Sequence, residues 1–299
     1  MKEQEVKTNS LRAWVLAARP KTLTGAAVPV MIALALAWTD GGREHFQWIP
    51  AILCMLFAFI MQIDANLIND YFDFKKGTDD ERRLGPKRAC AQGWVTMKAM
   101  QTAIGLTTLT ACLIGLPLVY YGGYDMIAVG VLCVLFCFLY TTSLSYLGMG
   151  DVLVLVFFGL VPVCATYYIQ THTATLEVLT ASIACGLVID TLLVVNNYRD
   201  RDNDRRTGKM TLVVRIGAKA SERLYLGLGV GACLLGVVFL IYGHLWAFLL
   251  PLAYLALHVG TYRRMVAINN GKRLNDILGE NARNMFVYGI LLALGLLIG

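Results

Sequence analysis

The sequence predicts an all-α membrane protein in which nine transmembrane helices surround a central cavity. Hydrophobic residues make up 57% of the 299 positions and charged residues only 15%, with a mean hydropathy of +0.60. Nine apolar stretches approach or exceed the roughly 20 residues that a helix needs to cross a bilayer. Basic residues are concentrated in alternate loops between those stretches. Such a chain lacks the polar surface of a soluble domain.

Each predicted span is a continuous apolar run bounded by polar or charged residues. The runs do not alternate between polar and apolar residues, so they favour helices over strands. The first and the last are the shortest, because they meet charged residues early. The predicted limits are 22–38, 49–68, 99–121, 125–143, 151–170, 176–196, 222–242, 245–262 and 284–299.

The distribution of Lys and Arg gives the chain a predicted orientation. With nine spans, 25 of the 26 basic residues lie on the side that holds the N-terminus, and only Arg43 lies on the other. Basic residues concentrate in cytoplasmic loops. We therefore expect an inner-membrane protein with a cytoplasmic N-terminus and an outer C-terminus. The net charge of +6 then reflects membrane insertion and does not indicate a nucleic-acid partner.

No linker, low-complexity tract or soluble domain interrupts the spans. The sequence predicts one integral-membrane domain over residues 1–299, with a short cytoplasmic tail at 1–18. The basic stretch before the first span is too long for a signal peptide, and eight further spans follow it. No obligatory protein partner is evident.

Cysteine and histidine are poor candidates for chemistry. The eight cysteines form no CxxC pair and seven lie in apolar runs, which is typical of small buried hydrophobes. His45, His172 and His244 fall on the predicted outer side, away from the acidic clusters described next. We do not expect them to act as catalytic bases.

Two acidic clusters that end apolar runs are the most informative feature. The first reads Asn66-Leu-Ile-Asn69-Asp70-Tyr71-Phe-Asp73 and continues to Asp79, and the second reads Asn196-Asn197-Tyr198-Arg199-Asp200 and continues to Asp204. An offset of 127 residues places Asn69, Tyr71 and Asp73 on Asn196, Tyr198 and Asp200. This offset predicts a parallel pseudo-repeat of four-helix units, in which the second span corresponds to the sixth.

The spacing predicts that each cluster presents its polar residues on one helix face. Asn66, Asp70 and Asp73 lie at i, i+4 and i+7, and the second cluster is similar if its helix continues past the apolar run. Two such faces in one space would hold Mg2+, a hard cation that bridges carboxylates to phosphates. The plainer alternative is helix capping or pairing with adjacent basic residues, but negative charge at a helix C-terminus opposes the macrodipole.

Asp64 lies six residues before Asp70, and Asp190 lies six residues before Asn196, which places each roughly 9 Å deeper in the membrane. Carboxylates at that depth are rare and mostly functional. They could form a buried pair that shares a proton, join helices through hydrogen bonds, or hold or deprotonate a substrate. The sequence leaves these roles open.

The motifs resemble those of the UbiA superfamily of intramembrane prenyltransferases, and most closely its branch that prenylates 1,4-dihydroxy-2-naphthoate in the menaquinone pathway. The resemblance covers residues 18–220; Asp64 and Asp190 depart from it, where apolar or small residues are expected. Beside the two clusters, it rests on Ala18-Arg19-Pro20-Lys21-Thr22-Leu23, Gly77-Thr78-Asp79, Arg83-Leu84-Gly85-Pro86, Tyr146-Leu-Gly148-Met-Gly150-Asp151 and Gly208-Lys209-Met-Thr211 through Arg215-Ile-Gly217.

The resemblance implies transfer of a polyprenyl group from an allylic polyprenyl diphosphate to the aromatic acceptor, with loss of CO2 and diphosphate. It also implies a Mg2+ requirement, with two ions bridging the diphosphate. The carboxylates expected to bind metal and act in catalysis are Asp70, Asp73, Asp200 and Asp204, with Asp79 as a further metal ligand. The expected substrate-binding residues are Asn66, Asn69, Asn196, Asn197, Lys21, Arg83, Arg88, Lys209, Arg215, Tyr71, Tyr140, Tyr146 and Tyr198.

Two alternative functions remain at this point. A prenyltransferase for another aromatic acceptor, such as 4-hydroxybenzoate, would share the same motifs. A cation-coupled transporter also has intramembrane carboxylates and internal repeats, but its acids lie at the midplane rather than beside basic loops. The sequence fixes neither the prenyl chain length nor the oligomeric state.

Overall fold

The computed structural model describes residues 6–77 and 83–299, and within them all regular secondary structure is helical, without a strand. Nine spans within them are long and apolar enough to cross a membrane, which confirms the predicted number. The spans are Leu11–His45, Trp48–Lys75, Met97–Gly122, Asp125–Leu144, Gly150–Thr171, Leu176–Arg206, Ala218–Ile241, Leu245–Ile268 and Leu274–Ile298.

Several spans consist of two helical pieces. The helices in chain order are α1 Leu11–Ala18, α2 Leu23–His45, α3 Trp48–Lys75, α4 Met97–Gly115, α5 Leu118–Gly122, α6 Asp125–Leu139, α7 Gly150–Val154, α8 Val161–Thr171, α9 Leu176–Arg206, α10 Leu212–Ile216, α11 Ala218–Leu235, α12 Val237–Ile241, α13 Leu245–Leu249, α14 Leu252–Ile268 and α15 Leu274–Ile298. Two π-helical turns, Tyr140–Leu144 and Leu155–Leu160, follow α6 and α7.

The predicted limits are wrong where polar side chains continue a helix. The last span begins at Leu274 rather than 284, and its buried asparagines find hydrogen-bond partners on other helices. Asn281 accepts a hydrogen bond from Tyr225 at 2.8 Å and donates one to Thr191 at 3.0 Å. Asn284 donates to Thr261 at 2.9 Å. Hydropathy cannot detect such internally satisfied groups.

The helix α9 is the centre of the bundle. Seventy-two per cent of its apolar segment is buried, the largest share among the spans of the described residues. It packs against α11, α15 and the π-helical turn at Leu155–Leu160. At that turn Gly159 and Gly186 let the two backbones touch, since a Cβ on Gly159 would lie 2.5 Å from the Ser182 carbonyl oxygen. Small residues allow this close approach in membranes.

The segment before the first long helix folds back against α3. The short helix α1 begins after a Ser10 cap and ends at Arg19, which adopts a left-handed backbone with φ of 50°. Pro20 then starts a single 3-10 turn that leads into α2. This turn brings Arg19 toward the first acidic cluster, 3.5 Å from an oxygen of Asp70.

Candidate active site

One cavity lies where the ends of α3 and α9 meet, and it brings the two acidic clusters together. Asp73 comes from α3, and Asp200 and Asp204 come from α9. The cations among its lining residues are Arg83, Arg88 and Lys209. The remaining lining residues are Asn196, Asn203 and Thr207.

The helix α9 reaches the cavity because it runs ten residues past its predicted apolar end at 196. The continued helix holds Asn196, Asp200 and Asp204 at four-residue intervals, and all three line the cavity. The sequence predicted one polar face for the second cluster if the helix continued through it. The helix does continue, so this condition is met.

The carboxylates of the cavity fit a hard cation. Asp204 is 6% exposed, and its Oδ2 is inaccessible and has no hydrogen-bond partner within the described part of the chain. Arg88 lies 3.3 Å from Oδ2 of Asp73. Three carboxylates around one space, with a buried oxygen that lacks a donor, form the oxygen-rich donor set that Mg2+ prefers.

Arg199 is a component of the site that the sequence reasoning did not identify. Its side chain is buried, and its guanidinium donates to both oxygens of Asp200 at 2.8 and 2.5 Å. It also donates to Asn196 and to Asn275, each at 2.9 Å. The arginine therefore fixes the orientation of two cavity residues. Its place inside the second cluster was the available signal.

The loop after the first cluster is held against this arginine. Asn275 donates to the carbonyl oxygen of Leu84 at 2.8 Å. A Cβ on Gly85 would lie 2.7 Å from a terminal nitrogen of Arg199, so only glycine fits here without displacing the guanidinium. The loop after α3 is distant in sequence from α9, but its close contact with Arg199 brings Arg83 and Arg88 to the cavity.

Asp70 lies outside this cavity, in contrast to the expectation that it binds metal. It is 1% exposed, and its two oxygens accept hydrogen bonds from the backbone N–H groups of Ala89 and Cys90, each at 2.9 Å. Its carboxylate faces the loop that follows α3, whereas Asp73 faces α9. Asp70 thus anchors the loop that carries Arg88.

Two of the four predicted asparagines also have structural partners. Asn66 donates to the Ala18 carbonyl oxygen at 3.0 Å and to the Thr22 hydroxyl at 2.8 Å, so it holds the turn between α1 and α2. Asn69 accepts a short hydrogen bond from the Thr141 hydroxyl. Neither lines the cavity, whereas Asn196 does.

Tyr71 and Tyr198 point away from the cavity, in contrast to their predicted role at the substrate. The Tyr71 hydroxyl accepts from Gln101 of α4 at 2.5 Å. The Tyr198 hydroxyl donates to Glu222 of α11 at 2.8 Å and approaches Asn269 at 2.9 Å. Both rings are buried between helices.

Two predicted cations have other positions. Arg215 donates to the carbonyl oxygens of Met210 and Leu147, each at 3.1 Å, and so joins the loops after α6 and α9. Lys21 is exposed on the turn before α2 and does not line the cavity. Asp79 lies outside the described residues.

A second, smaller cavity adjoins the first and shares Lys209 with it. Asp151 and Asn197 contribute its polar lining, together with Tyr140, Ser145, Gly150 and Thr211. Both oxygens of Asp151 and Oδ1 of Asp190 are inaccessible and receive no hydrogen bond from another described residue. The two carboxyl groups are close enough to interact electrostatically. Tyr140 interacts electrostatically with Asp151 and Asp190, and also with Asp73 and Asp204.

Tyr146 lies between two lysines at the edge of the cavities. The Lys76 ammonium is 4.0 Å from the ring centroid and that of Lys209 is 5.7 Å away. Burial lowers the pKa of Lys76, Asp73 opposes the shift and Lys209 adds to it. The ring faces cations rather than lipid, and these contacts position both lysines.

Asp64 joins two helices. It is completely buried, and it accepts hydrogen bonds from the Thr107 and Thr108 hydroxyls of α4 at 2.5 and 2.7 Å. Among the roles left open for Asp64, the structure shows hydrogen bonding between helices. Asp190 differs, because it interacts electrostatically with Asp151, which lines the second cavity.

Comparison with known proteins was made on sequence and on fold. The model of a family described as "UbiA prenyltransferase family" matches residues 26–290. A curated Escherichia coli protein named 1,4-dihydroxy-2-naphthoate octaprenyltransferase is 36% identical over 264 residues, covering 85% of this chain and 84% of that protein. A Mycobacterium tuberculosis protein of the same name is 33% identical, covering 97% and 98%.

Solved structures show the same fold. A UbiA homolog from Aeropyrum pernix K1 superposes with a TM-score of 0.70 at 14% identity, covering 90% of this chain and 97% of that one. A UbiA homolog from Archaeoglobus fulgidus bound to GPP and Mg2+ gives a TM-score of 0.66 at 12% identity, covering 94% and 99%.

Proposed function

This chain belongs to the UbiA prenyltransferase family, and on that premise we propose that it transfers a polyprenyl group from an allylic polyprenyl diphosphate to 1,4-dihydroxy-2-naphthoate. Diphosphate and CO2 leave, and the product is demethylmenaquinone in menaquinone biosynthesis. The observation that carries the proposal is the cavity in which Asp73, Asp200 and Asp204 lie opposite Arg83, Arg88 and Lys209. The shared name of the bacterial relatives supports the choice of acceptor.

The cavity suits a Mg2+-bridged diphosphate. Asp73, Asp200 and Asp204 would hold Mg2+, and Asp79 is proposed as a further ligand from its place in the sequence. Bound Mg2+ would neutralise the leaving diphosphate. Mg2+ usually pairs one or two carboxylates with substrate phosphate oxygens, and two ions suit this number of acids. The relative solved with GPP and Mg2+ supports this assignment.

The three cations complete the diphosphate site. Arg83 and Arg88 can each donate two parallel N–H bonds to phosphate oxygens, and Lys209 supplies a point charge. Arg88 is already positioned by Asp73 at 3.3 Å. Charge that develops on the departing diphosphate is thus met by donors already in place, the arrangement that stabilises a transition state most effectively.

The second cavity adjoins the diphosphate site at Lys209, and its volume of about 10 Å3 accommodates one water-sized group. We therefore propose that a hydroxyl of the acceptor reaches this cavity while the ring lies between it and the diphosphate site. The Tyr140 ring offers an electron-rich face to the allylic cation. Asp151 lines this cavity, and its oxygens receive no hydrogen bond from another described residue. It would accept the proton of a naphthol hydroxyl, assisted by the neighbouring Asp190, and Asn197 would orient the ring. Loss of that proton enriches the ring carbon that forms the new carbon–carbon bond.

We propose that the protein lies in the inner membrane with the N-terminus and the active-site cavity on the cytoplasmic side. The described residues form a multi-pass bundle, and the basic loops lie at the end that holds the cavity. The soluble diphosphate and its Mg2+ would then meet the enzyme from the cytoplasm, while the apolar prenyl chain remains among lipids.

The test is an assay of the purified protein in lipid nanodiscs with a labelled polyprenyl diphosphate. We expect prenylated product with 1,4-dihydroxy-2-naphthoate and Mg2+, and none after EDTA. Asp200→Asn should reduce the rate by at least about 100-fold, the magnitude typical of lost electrostatic stabilisation. Product only with 4-hydroxybenzoate would refute the acceptor, and full activity after EDTA would refute the metal role.

A further inference from the structure

A second polar cluster lies at the end of the bundle opposite the active-site cavity. Asp40 is near the end of α2, Glu177 is in the first turn of α9, and His244 lies in the turn between α12 and α13. Along α9, Glu177 and Asp200 are separated by roughly 35 Å at the standard rise of an α-helix. The cluster is therefore separate from the diphosphate site.

The three side chains have the spacing of metal ligands. One ligand atom from each lies within 4.8 Å of the others. His244 Nε2 and Glu177 Oε1 are 3.4 Å apart, about the distance between two ligands of a tetrahedral zinc ion with bonds near 2.1 Å. Asp40 is exposed, so a rotation of its side chain can bring it to the same ion.

Glu177 is the observation that points to a ligand. Only 2% of its surface is exposed, and its inaccessible Oε1 receives no hydrogen bond from any described residue, although His244 Nε2 lies 3.4 Å away. A buried carboxylate without a donor is destabilising. Asp40, by contrast, accepts a hydrogen bond from Tyr167 at 2.5 Å, which orients it as an outer partner orients a metal ligand.

We propose that Asp40, Glu177 and His244 bind a divalent transition-metal cation of the zinc class. Imidazole and carboxylate together favour such a cation over Mg2+, which prefers oxygen alone. The fourth position would hold water, since Asp40 lies at the solvent-exposed rim of the cluster. The ion would tie together the ends of α2, α9 and the α12–α13 turn.

The test is zinc binding by the purified full chain in detergent, with excess Mg2+ present to occupy the carboxylates of the active-site cavity. We expect the wild type to bind about one zinc ion per chain, and this binding should require His244. His244→Ala and Glu177→Gln should each weaken zinc binding by at least about 100-fold, since even outer-shell changes cost 10–100-fold. Cobalt substitution should give the visible absorption of a four-coordinate site in the wild type and not in His244→Ala or Glu177→Gln.

His45→Ala is the matched control. His45 lies at the same end of the bundle, and its ring approaches the Gly41 carbonyl of its own helix at 2.9 Å, outside the cluster. It should retain full zinc binding. Glu177→Gln keeps the shape of the side chain, so it separates loss of a ligand from loss of folding. Zinc binding that is equal in the wild type and in both cluster variants would overturn the proposal.

Discussion

Asp70→Asn distinguishes the role that the sequence predicts for Asp70 from the one that the structure shows. If Asp70 binds Mg2+, the substitution removes catalysis and leaves the fold intact. If Asp70 anchors the loop after α3, the substitution destabilises the protein. In the structure both carboxylate oxygens accept hydrogen bonds from backbone N–H groups at 2.9 Å. We therefore expect Asp70→Asn to destabilise the protein.

The magnitude follows from these two bonds. An asparagine keeps one acceptor oxygen and turns an amide donor toward the other N–H group. One charge-assisted hydrogen bond, worth about 1.5–3 kcal/mol, is lost, and a buried donor is left unpaired. Arg19, 3.5 Å away, also loses its ion pair with Asp70. We expect a loss of about 3 kcal/mol in the free energy of unfolding.

The assay combines thermal unfolding in detergent with steady-state kinetics at low temperature. Trp94 and Trp14 pack in the same apolar cluster as the anchored loop, so tryptophan fluorescence reports its loosening. Asp70→Asn should unfold at a lower temperature and keep the wild-type dependence on Mg2+. Asp73→Asn, the matched variant, should destabilise the protein less than Asp70→Asn does, because the Asp73 carboxylate lines the cavity and is more exposed than that of Asp70.

The opposite pattern would refute this reasoning. An Asp70→Asn protein that melts like the wild type and requires far more Mg2+ would restore Asp70 as a metal ligand. The loop would then have to move on binding substrate, because its two N–H groups occupy the carboxylate in this structure.

Three further predictions concern the hydrogen bonds from Arg199 to Asp200 and the acids near the second cavity. Arg199→Lys keeps the charge but cannot donate to both oxygens of Asp200. We therefore expect the Mg2+ concentration for half-maximal rate to rise about tenfold. An unchanged Mg2+ titration would contradict the role of Arg199 in orienting Asp200. Gly85→Ala should lower the rate by displacing the same guanidinium, whereas Gly105→Ala, whose added Cβ meets no atom within 4 Å, should not. Asp190→Asn should lower kcat about 100-fold with little change in the KM for the diphosphate, and an unchanged kcat would remove Asp190 from the proton path.

The number and type of the spans could be predicted from sequence, but their ends could not. The apolar runs and the basic loops record the two constraints that a bilayer imposes, hydrophobic length and charge asymmetry. Helix ends depend instead on local partners. The last span gains ten residues because its asparagines find hydroxyl partners on neighbouring helices, and no property of the segment alone reveals that.

Several of the residues predicted for the site line one cavity in the structure, and their roles there stay predictions. Asp73, Asp200, Asp204, Arg83, Arg88, Lys209 and Asn196 line one cavity. The sequence could not reveal which acidic or polar residue faces a backbone loop, since that depends on how residues 83–96 fold back. Asp70 and Asn66 have the residue types of ligands, and they serve as acceptors and donors for chain segments distant in sequence.

Two sequence patterns predicted cavity residues: the spacing of acids within one helix, and the offset of 127 residues between the two clusters. The offset identifies the cavity residues better, for a physical reason. Helical stacking placed Asp70 with Asp73 on one face, but three residues along a helix correspond to a rotation of about 60° from alignment, enough to aim one at the loop and the other at α9. The internal offset equated Asp73 with Asp200, and both reach the cavity.

The same offset also identifies the outward-facing residues. Tyr71 bonds to α4 and Tyr198 to α11, in each case the next transmembrane span along the chain. A tyrosine that joins a span to its successor and a carboxylate two residues later that faces the centre recur in both halves. Correspondence between repeats reflects three-dimensional placement, because both halves must pack the same way around one centre. Spacing within a single helix carries no such constraint, so the repeat is the better guide to which acids share a substrate.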